Sequence, residues 1–231
     1  MKRRVAIVGS GEHGVVSLHI LRAAGLEPVG FLDDDPIRHG TPVAGLLLLG
    51  DTSWFSTSKA EGVSAFIAIG DNTARRKVAG LLRQRGIRVL NAVHPTAVLM
   101  DGVQLGSGVF VGPGVVIVSG TRVCDDVIVN TAATVDHDGV LLSAAHIAPG
   151  VHTGGKVTIG EESLIGVGAS LSAGITVGSK SVVGAGSVVL DDVPSGVVVA
   201  GVPARFLRTL EDPIDWSHIL RPDHKARVRP G

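Results

Sequence analysis

His137 stands between two carboxylates in Val135-Asp136-His137-Asp138, and no other stretch of the chain is so well suited to moving a proton. An imidazole with a carboxylate partner can take a proton from a weak nucleophile, while the carboxylate stabilises the imidazolium that forms. A second cluster lies far upstream. Gly9-x-Gly11-x-x-Gly14 follows an apolar run and precedes a helical pattern, and Asp33-Asp34-Asp35 closes the next apolar run. Backbone amides at such a helix start hold phosphate, and a carboxylate at the following strand end can hold ribose or base. The chemistry on offer is therefore a general base in one half of the chain and a nucleotide cradle in the other.

The base must be positioned by an internal repeat. From Leu105 to Val189 every sixth residue is aliphatic except Thr153, with no insertion or deletion. A period of six fits neither a helix nor a plain alternating strand, and it predicts a hexapeptide β-helix. Each rung is a short strand and a turn with the aliphatic side chain inward. The glycines that often follow it, as in Val111-Gly112 and Ile159-Gly160, are expected to supply the unusual corner dihedrals. Three rungs make a coil of eighteen residues, and coils stack about 4.8 Å apart. The rule places the Gly155 backbone amide one coil above His137, where it could donate to a developing oxyanion. His146, nine residues from His137, falls on another side of the prism. If both serve one site, a neighbouring subunit supplies one of them.

The cradle must be positioned by an α/β unit. Val5 to Val8 reads as a buried strand, Val15 to Ala24 as a helix closed by Gly25, and Pro28 to Leu32 as a second strand. Ala65 to Ile69, Thr73 to Arg85 and Ile87 to Leu90 read as strand, helix and strand after a less regular stretch. Alternating strands and helices predict a small Rossmann-like parallel sheet. It ends near residue 90, about half of a full dinucleotide fold, so mononucleotide binding is favoured over a nicotinamide cofactor. The expected organisation is 1–92 for nucleotide binding, 93–208 for the β-helix and 209–231 for a loosely held tail with Pro213, Pro222 and Pro230.

Composition excludes several classes. Twenty-one basic residues balance twenty-one acidic ones in 231, which gives no electrostatic reason to expect nucleic acid or an anionic membrane as partner. The apolar stretch after Met1-Lys2-Arg3-Arg4 is too short for a signal peptide and no segment is long enough to span a bilayer, so a cytoplasmic protein is expected. Cys124 is the single cysteine; it follows the inward Val123 and reads as a buried structural thiol. His137, His146 and His152 raise the question of a metal. A γ-type carbonic anhydrase needs two histidines close together and a third far upstream, and this spacing does not match, so no metal is expected.

The segments Asn130-Thr131-Ala132-Ala133-Thr134-Val135-Asp136-His137-Asp138 and His146-Ile147-Ala148-Pro149-Gly150 resemble the nucleotide-sugar acyltransferases of the PglD/NeuD/PerB type. So do Gly9 to Gly14, Gly30-Phe31-Leu32-Asp33-Asp34-Asp35-Pro36, Ile69-Gly70-Asp71-Asn72 with Arg75, and Ala200-Gly201-Val202-Pro203-Ala204-Arg205. The resemblance spans about residues 3 to 208. It implies a left-handed β-helix behind the α/β unit, and transfer of acetyl from acetyl-CoA, as co-substrate, to an amine on a nucleotide-linked deoxyamino sugar of the 4-amino-4,6-dideoxy type. It also implies a homotrimer with active sites between subunits. Carried over motif by motif, His137 is the general base and Asp138 its partner, where some members have glutamate. His146, Gly155, Pro203 and Ala204 would contact acetyl-CoA, and Gly11, His13, Asp33, Asp34 and Asn72 would line the nucleotide pocket. No serine or cysteine is placed beside His137 as a covalent nucleophile, which fits direct attack by the sugar amine. Thr153, in place of an aliphatic residue, departs from the pattern beside the proposed oxyanion glycines. Two other readings compete. One is O-acetylation of a sialic acid, which needs a pocket that accepts a substrate without a nucleoside diphosphate. The other is a non-catalytic nucleotide-binding scaffold, which would not require the His137-Asp138 pair.

Overall fold

The computed structural model describes residues 2–210, so the expected tail lies outside the described residues except for its first two positions. The chain opens with β1 (Arg4–Val8), α1 (Glu12–Ala23), β2 (Glu27–Leu32), β3 (Pro42–Val43), β4 (Leu46–Gly50), β5 (Ser64–Ile67) and α2 (Asn72–Gln84). They form one sheet of order β3-β4-β2-β1-β5, parallel except for β3, which pairs antiparallel with β4. Val5 to Val8 are buried, as a central parallel strand covered on both faces requires.

Four expectations need correction. α1 starts at Glu12, ahead of Val15, because Gly11 serves as its N-cap and Glu12 can sit in the first turn against the positive end of the helix. The stretch before Ala65 holds β3 and β4, whose Leu46-Leu47-Leu48-Leu49 run shows no alternation to read. Ile87 to Leu90 is not a strand: only Val89 bridges to Ala65, and the chain then leaves the sheet to enter the prism. The half-buried Cys124 is not sealed in the core, since its corner position leaves it partly open.

From Ala92–Val93 to Val188–Val189 the chain forms seventeen two-residue strands, β6 to β22, stacked in three parallel sheets. The fold is a left-handed β-helix behind an α/β unit. Partners differ by eighteen residues throughout, as in Val116↔Thr134 and Ile117↔Val135. The second residue of each strand faces inward and builds the prism core with Val111, Val129, Ile147, Ile165 and Val183. β23 (Val197–Gly201) and β24 (Ala204–Thr209) close the top as an antiparallel hairpin.

The rung glycines act differently from expectation. The left-handed corner residue lies three places after the inward aliphatic, at Gly120 (φ 76) and Asp138 (φ 57), for example. A glycine directly after the aliphatic, such as Gly112, has no positive φ; a Cβ there would lie 2.7 Å from the Thr131 amide nitrogen of the next coil. Space between coils, rather than dihedral freedom, selects glycine at that position.

The first prism face carries Phe110, Ile128 and His146 outward, and Phe110 and Ile128 share a core with Leu18 and Leu21 of α1 and Ile7 of β1. α2 runs along the adjoining corner. Arg75, 1% exposed, donates Nε to the Asp126 carbonyl (2.8 Å), Nη1 to Ile69 and Gly70, and Nη2 to Asn72 Oδ1 and the Ala144 carbonyl (both 2.7 Å). All five guanidinium protons are thus used. Arg83 adds a two-pronged ion pair to Asp126 with both contacts at 2.7 Å.

Candidate functional site

Asp138 occupies a left-handed corner between the second and third prism faces, a conformation that aspartate tolerates better than most residues. This aims its Oδ2 at His137 Nδ1, 2.9 Å away. An ionised carboxylate only accepts, so Nδ1 carries the proton and Nε2 keeps its lone pair. A Cβ on Gly155 would overlap the His137 ring, so the imidazole lies directly against that glycine, as the eighteen-residue rule requires. The Lys156 amide donates to the His137 carbonyl (2.7 Å), while the Gly155 amide meets no acceptor among the described residues. The half-exposed His137 therefore offers a base beside a free backbone donor.

Thr153, the one break in the aliphatic repeat, is buried, and its hydroxyl accepts the Asp136 amide at 3.3 Å. Asp136 Oδ1 in turn accepts the His137 amide (2.7 Å). The departure in the repeat supports the turn that carries the base. Sequence reading left Thr153 unexplained, although a hydroxyl at an inward position is itself a signal that a nearby backbone group needs a partner.

The cradle forms at the carboxyl ends of β1 and β2. A cavity of about 150 Å³ is lined by Val8, Gly9, Asp33, Asp34, Thr52 and Ile69, and beside it a cleft of about 430 Å³ is bounded by Asp34, Thr52, Lys77 and Arg85. Asp33 accepts both the amide (2.9 Å) and the hydroxyl of Ser10. Burial pushes the Asp33 carboxyl up, but these bonds, the Asp35 amide and the Arg38 charge outweigh it and hold its pKa below the usual value. Ser10 was not foreseen; its place inside the glycine loop was the available signal. Gly11 caps α1, and a Cβ there would meet nothing.

Three expected site residues lie elsewhere. Asn72 is buried and fully engaged: Nδ2 donates to the Glu162 and Ser163 carbonyls (2.9 and 3.3 Å) and Oδ1 accepts from Arg75. It ties α2 to the prism and has nothing left for a nucleotide. His13 lies outside the cavity lining, with its ring 4.8 Å from that of Phe110 and a buried Nε2 that has no partner among the described residues. Burial, with help from the Arg75 charge, lowers its pKa to about 4. His146 sits on the same face. Both its ring nitrogens are inaccessible and without a partner among the described residues, although the residue as a whole is partly exposed. Burial, then the charges of Arg75 and His13, lower its pKa well below the usual value.

Pro203 is exposed and Ala204 packs on the top of the prism core, away from the His137 turn in sequence and on the closing hairpin. His152 lies exposed on the second face, with Nδ1 2.8 Å from the Thr134 hydroxyl. Among the described residues no group of three or more His, Cys, Asp or Glu could hold a metal ion, and no helix is long and apolar enough to cross a membrane.

Comparison with known proteins gives this arrangement a context. Residues 4–82 match the PglD N-terminal domain, and residues 156–191 match the hexapeptide repeat of succinyl-transferase. GDP-perosamine N-acetyltransferase of Escherichia coli is 28% identical over 215 residues, 87% of this chain and 95% of the relative. The crystal structure of PerB from Caulobacter crescentus in complex with CoA and GDP-perosamine is 40% identical, with a TM-score of 0.84 over 88% of this chain and 97% of that one. The acetyltransferase domain of PglB from Neisseria gonorrhoeae, in complex with acetyl coenzyme A, is 36% identical with a TM-score of 0.83, covering 90% of this chain and 100% of that domain. With a left-handed β-helix behind a small α/β unit, a His-Asp pair at a corner of the prism and relatives matched along nearly their whole length, this chain belongs to the PglD/PerB-type acetyltransferases of the hexapeptide-repeat superfamily.

Proposed function

We propose that this chain transfers the acetyl group of acetyl-CoA to the amine of a GDP-linked 4-amino-4,6-dideoxy sugar, with His137 as general base, at a site completed by a neighbouring copy in a homotrimer. The observation that carries the reading is the His137–Asp138 pair, 2.9 Å apart, with the imidazole packed on Gly155, whose amide has no acceptor among the described residues. The sugar amine attacks the thioester carbonyl, forming the C–N bond. Nε2 takes the amine proton, and the Gly155 amide donates to the oxyanion. Collapse breaks the C–S bond, and the imidazolium returns its proton to the CoA thiolate. Asp138 holds the ring and stabilises it while charged.

Residues 1–92 would hold the nucleotide through Gly11, Asp33 and Asp34, and residues 93–208 would carry the acyl transfer, with Pro203 and Ala204 beside CoA. The GDP assignment rests on the relative crystallised with GDP-perosamine. That relative has also been crystallised with CoA and GDP-perosamine after replacement of one histidine by alanine, which accords with a histidine at the centre of the reaction. The trimer rests on geometry. The α/β unit packs on the first prism face, whereas His137 stands on the opposite corner, which favours a cyclic assembly that brings one copy's pocket to another's base.

The test is thiol release from acetyl-CoA with GDP-, UDP- and dTDP-linked 4-amino-4,6-dideoxy sugars, with sialic acid included. Release with the GDP-linked amine is expected. Silence with every amine and release with sialic acid would transfer the assignment to O-acetylation, and silence throughout would leave the non-catalytic scaffold.

A further inference from the structure

Five corner positions stack between the second and third faces: 102, 120, 138, 156 and 174. All have positive φ, from 57 to 80, and three of the five are glycine. The two side chains kept in this left-handed conformation are Asp138, which holds His137, and Lys156, one coil above it. Left-handed backbone is unfavourable for an L residue with a long side chain, and glycine evidently satisfies the same turn at 102, 120 and 174.

Elsewhere the charged corner residues are accounted for. Asp126 pairs with Arg83, Glu162 with Arg76, and Lys180 acts on Glu162. Lys156 is exposed and has no carboxylate partner among the described residues. Its neighbour is Gly155, which abuts the His137 ring, and its own amide binds the His137 carbonyl. Lys156 is thus tied through its backbone to both groups proposed to act on the thioester, His137 and Gly155, and its flexible stem carries a charge with no carboxylate partner among the described residues.

We propose that Lys156 stabilises the negative charge that forms on the thioester oxygen and then on the departing CoA sulfur. The inference rests on the acetyl-transfer reading above. Attack of the amine moves the carbonyl π pair onto oxygen, and C–S cleavage moves a pair onto sulfur; in this proposal the ammonium acts on both charges without giving up its proton, and the thiolate receives its proton from His137. A cation placed there lowers the barrier because it acts on charge that is absent from the ground state.

Lys156→Gly separates this role from a structural one. Glycine suits the corner, so the variant should melt at the same temperature or higher than the parent, yet kcat with the GDP-linked amine should fall at least tenfold. KM for the aminosugar should change less than threefold, and Lys156→Arg should keep more activity than Lys156→Gln. A wild-type chain that turns over while Lys156→Gly matches its kcat would overturn the inference and leave the acetyltransferase reading intact. A raised KM at unchanged kcat would also overturn it, since Lys156 would then hold substrate rather than the transition state. A wild-type chain with no turnover would instead count against the function itself.

Discussion

His137 takes its tautomer from a single carboxylate, and its position from a glycine that leaves room for it. Replacing His137 by asparagine should lower kcat by roughly 10² to 10⁴, the range for loss of a general base, with the melting temperature unchanged because the ring is half exposed. Steady-state thiol release and thermal unfolding check both parts. Gly155→Ala should lower kcat at least as far while His137 remains, because the added methyl would occupy the volume of the imidazole. The buried imidazoles act on stability instead. His13 has a pKa of about 4 in the folded chain and an ordinary value near 6.5 when unfolded, so the unfolded state takes up the proton first as the pH falls. The stability this lends is complete above pH 6.5 and is lost progressively toward pH 4, on the order of 3 kcal/mol for His13 by linkage. His146 acts in the same direction. Denaturant titrations between pH 7 and 4 should therefore give a shallower loss for His13→Leu than for the parent, and an identical slope would show that His13 does not titrate in this way. The His137-Asp138 pair was legible because two adjacent residues and one residue eighteen later define it. Asn72 was not, since its partners Glu162 and Ser163 lie ninety positions away in sequence with no pattern to announce them.

At the scale of elements, the period of six specified the prism and its register almost completely, because one inward residue per rung is a linear signal. The docking of α2 carries no such signal. Arg75, Arg76 and Arg83 look like a solvated helix face, yet Arg75 is fully buried and is kept charged, with a pKa lowered to about 10 mainly by burial. Its carbonyl partners come from Ile69, Gly70, Asp126 and Ala144, so it joins the sheet's edge loop, the helix and two coils of the prism. Arg75→Met keeps the length and removes the donors. It should cost about 3–5 kcal/mol, the range for breaking a buried charged network from one side, and lower the melting temperature accordingly. Unfolding of Arg75→Met within half a kcal/mol of the parent, roughly the error of such a comparison, would mean that the network holds nothing together.

For the whole molecule, the decisive fact is that the pocket and the base lie on opposite sides of one chain. Phe110 and Ile128 seal the α/β unit onto the first prism face, and the His137 corner points away from it. Sequence spacing already placed His137 and His146 on different sides, but could not show which side the α/β unit would cover. A shared site therefore predicts complementation. Gly11→Leu should obstruct the glycine loop proposed to hold the nucleotide and preserve the fold, because a Cβ at Gly11 meets nothing, and His137→Ala should remove the base. The two inactive variants, unfolded together in equal amounts and refolded, should recover up to about a quarter of wild-type activity, since a random cyclic trimer pairs an intact pocket with an intact base at one interface in four. Activity no greater than that of the two variants refolded separately would contradict a site built from two copies.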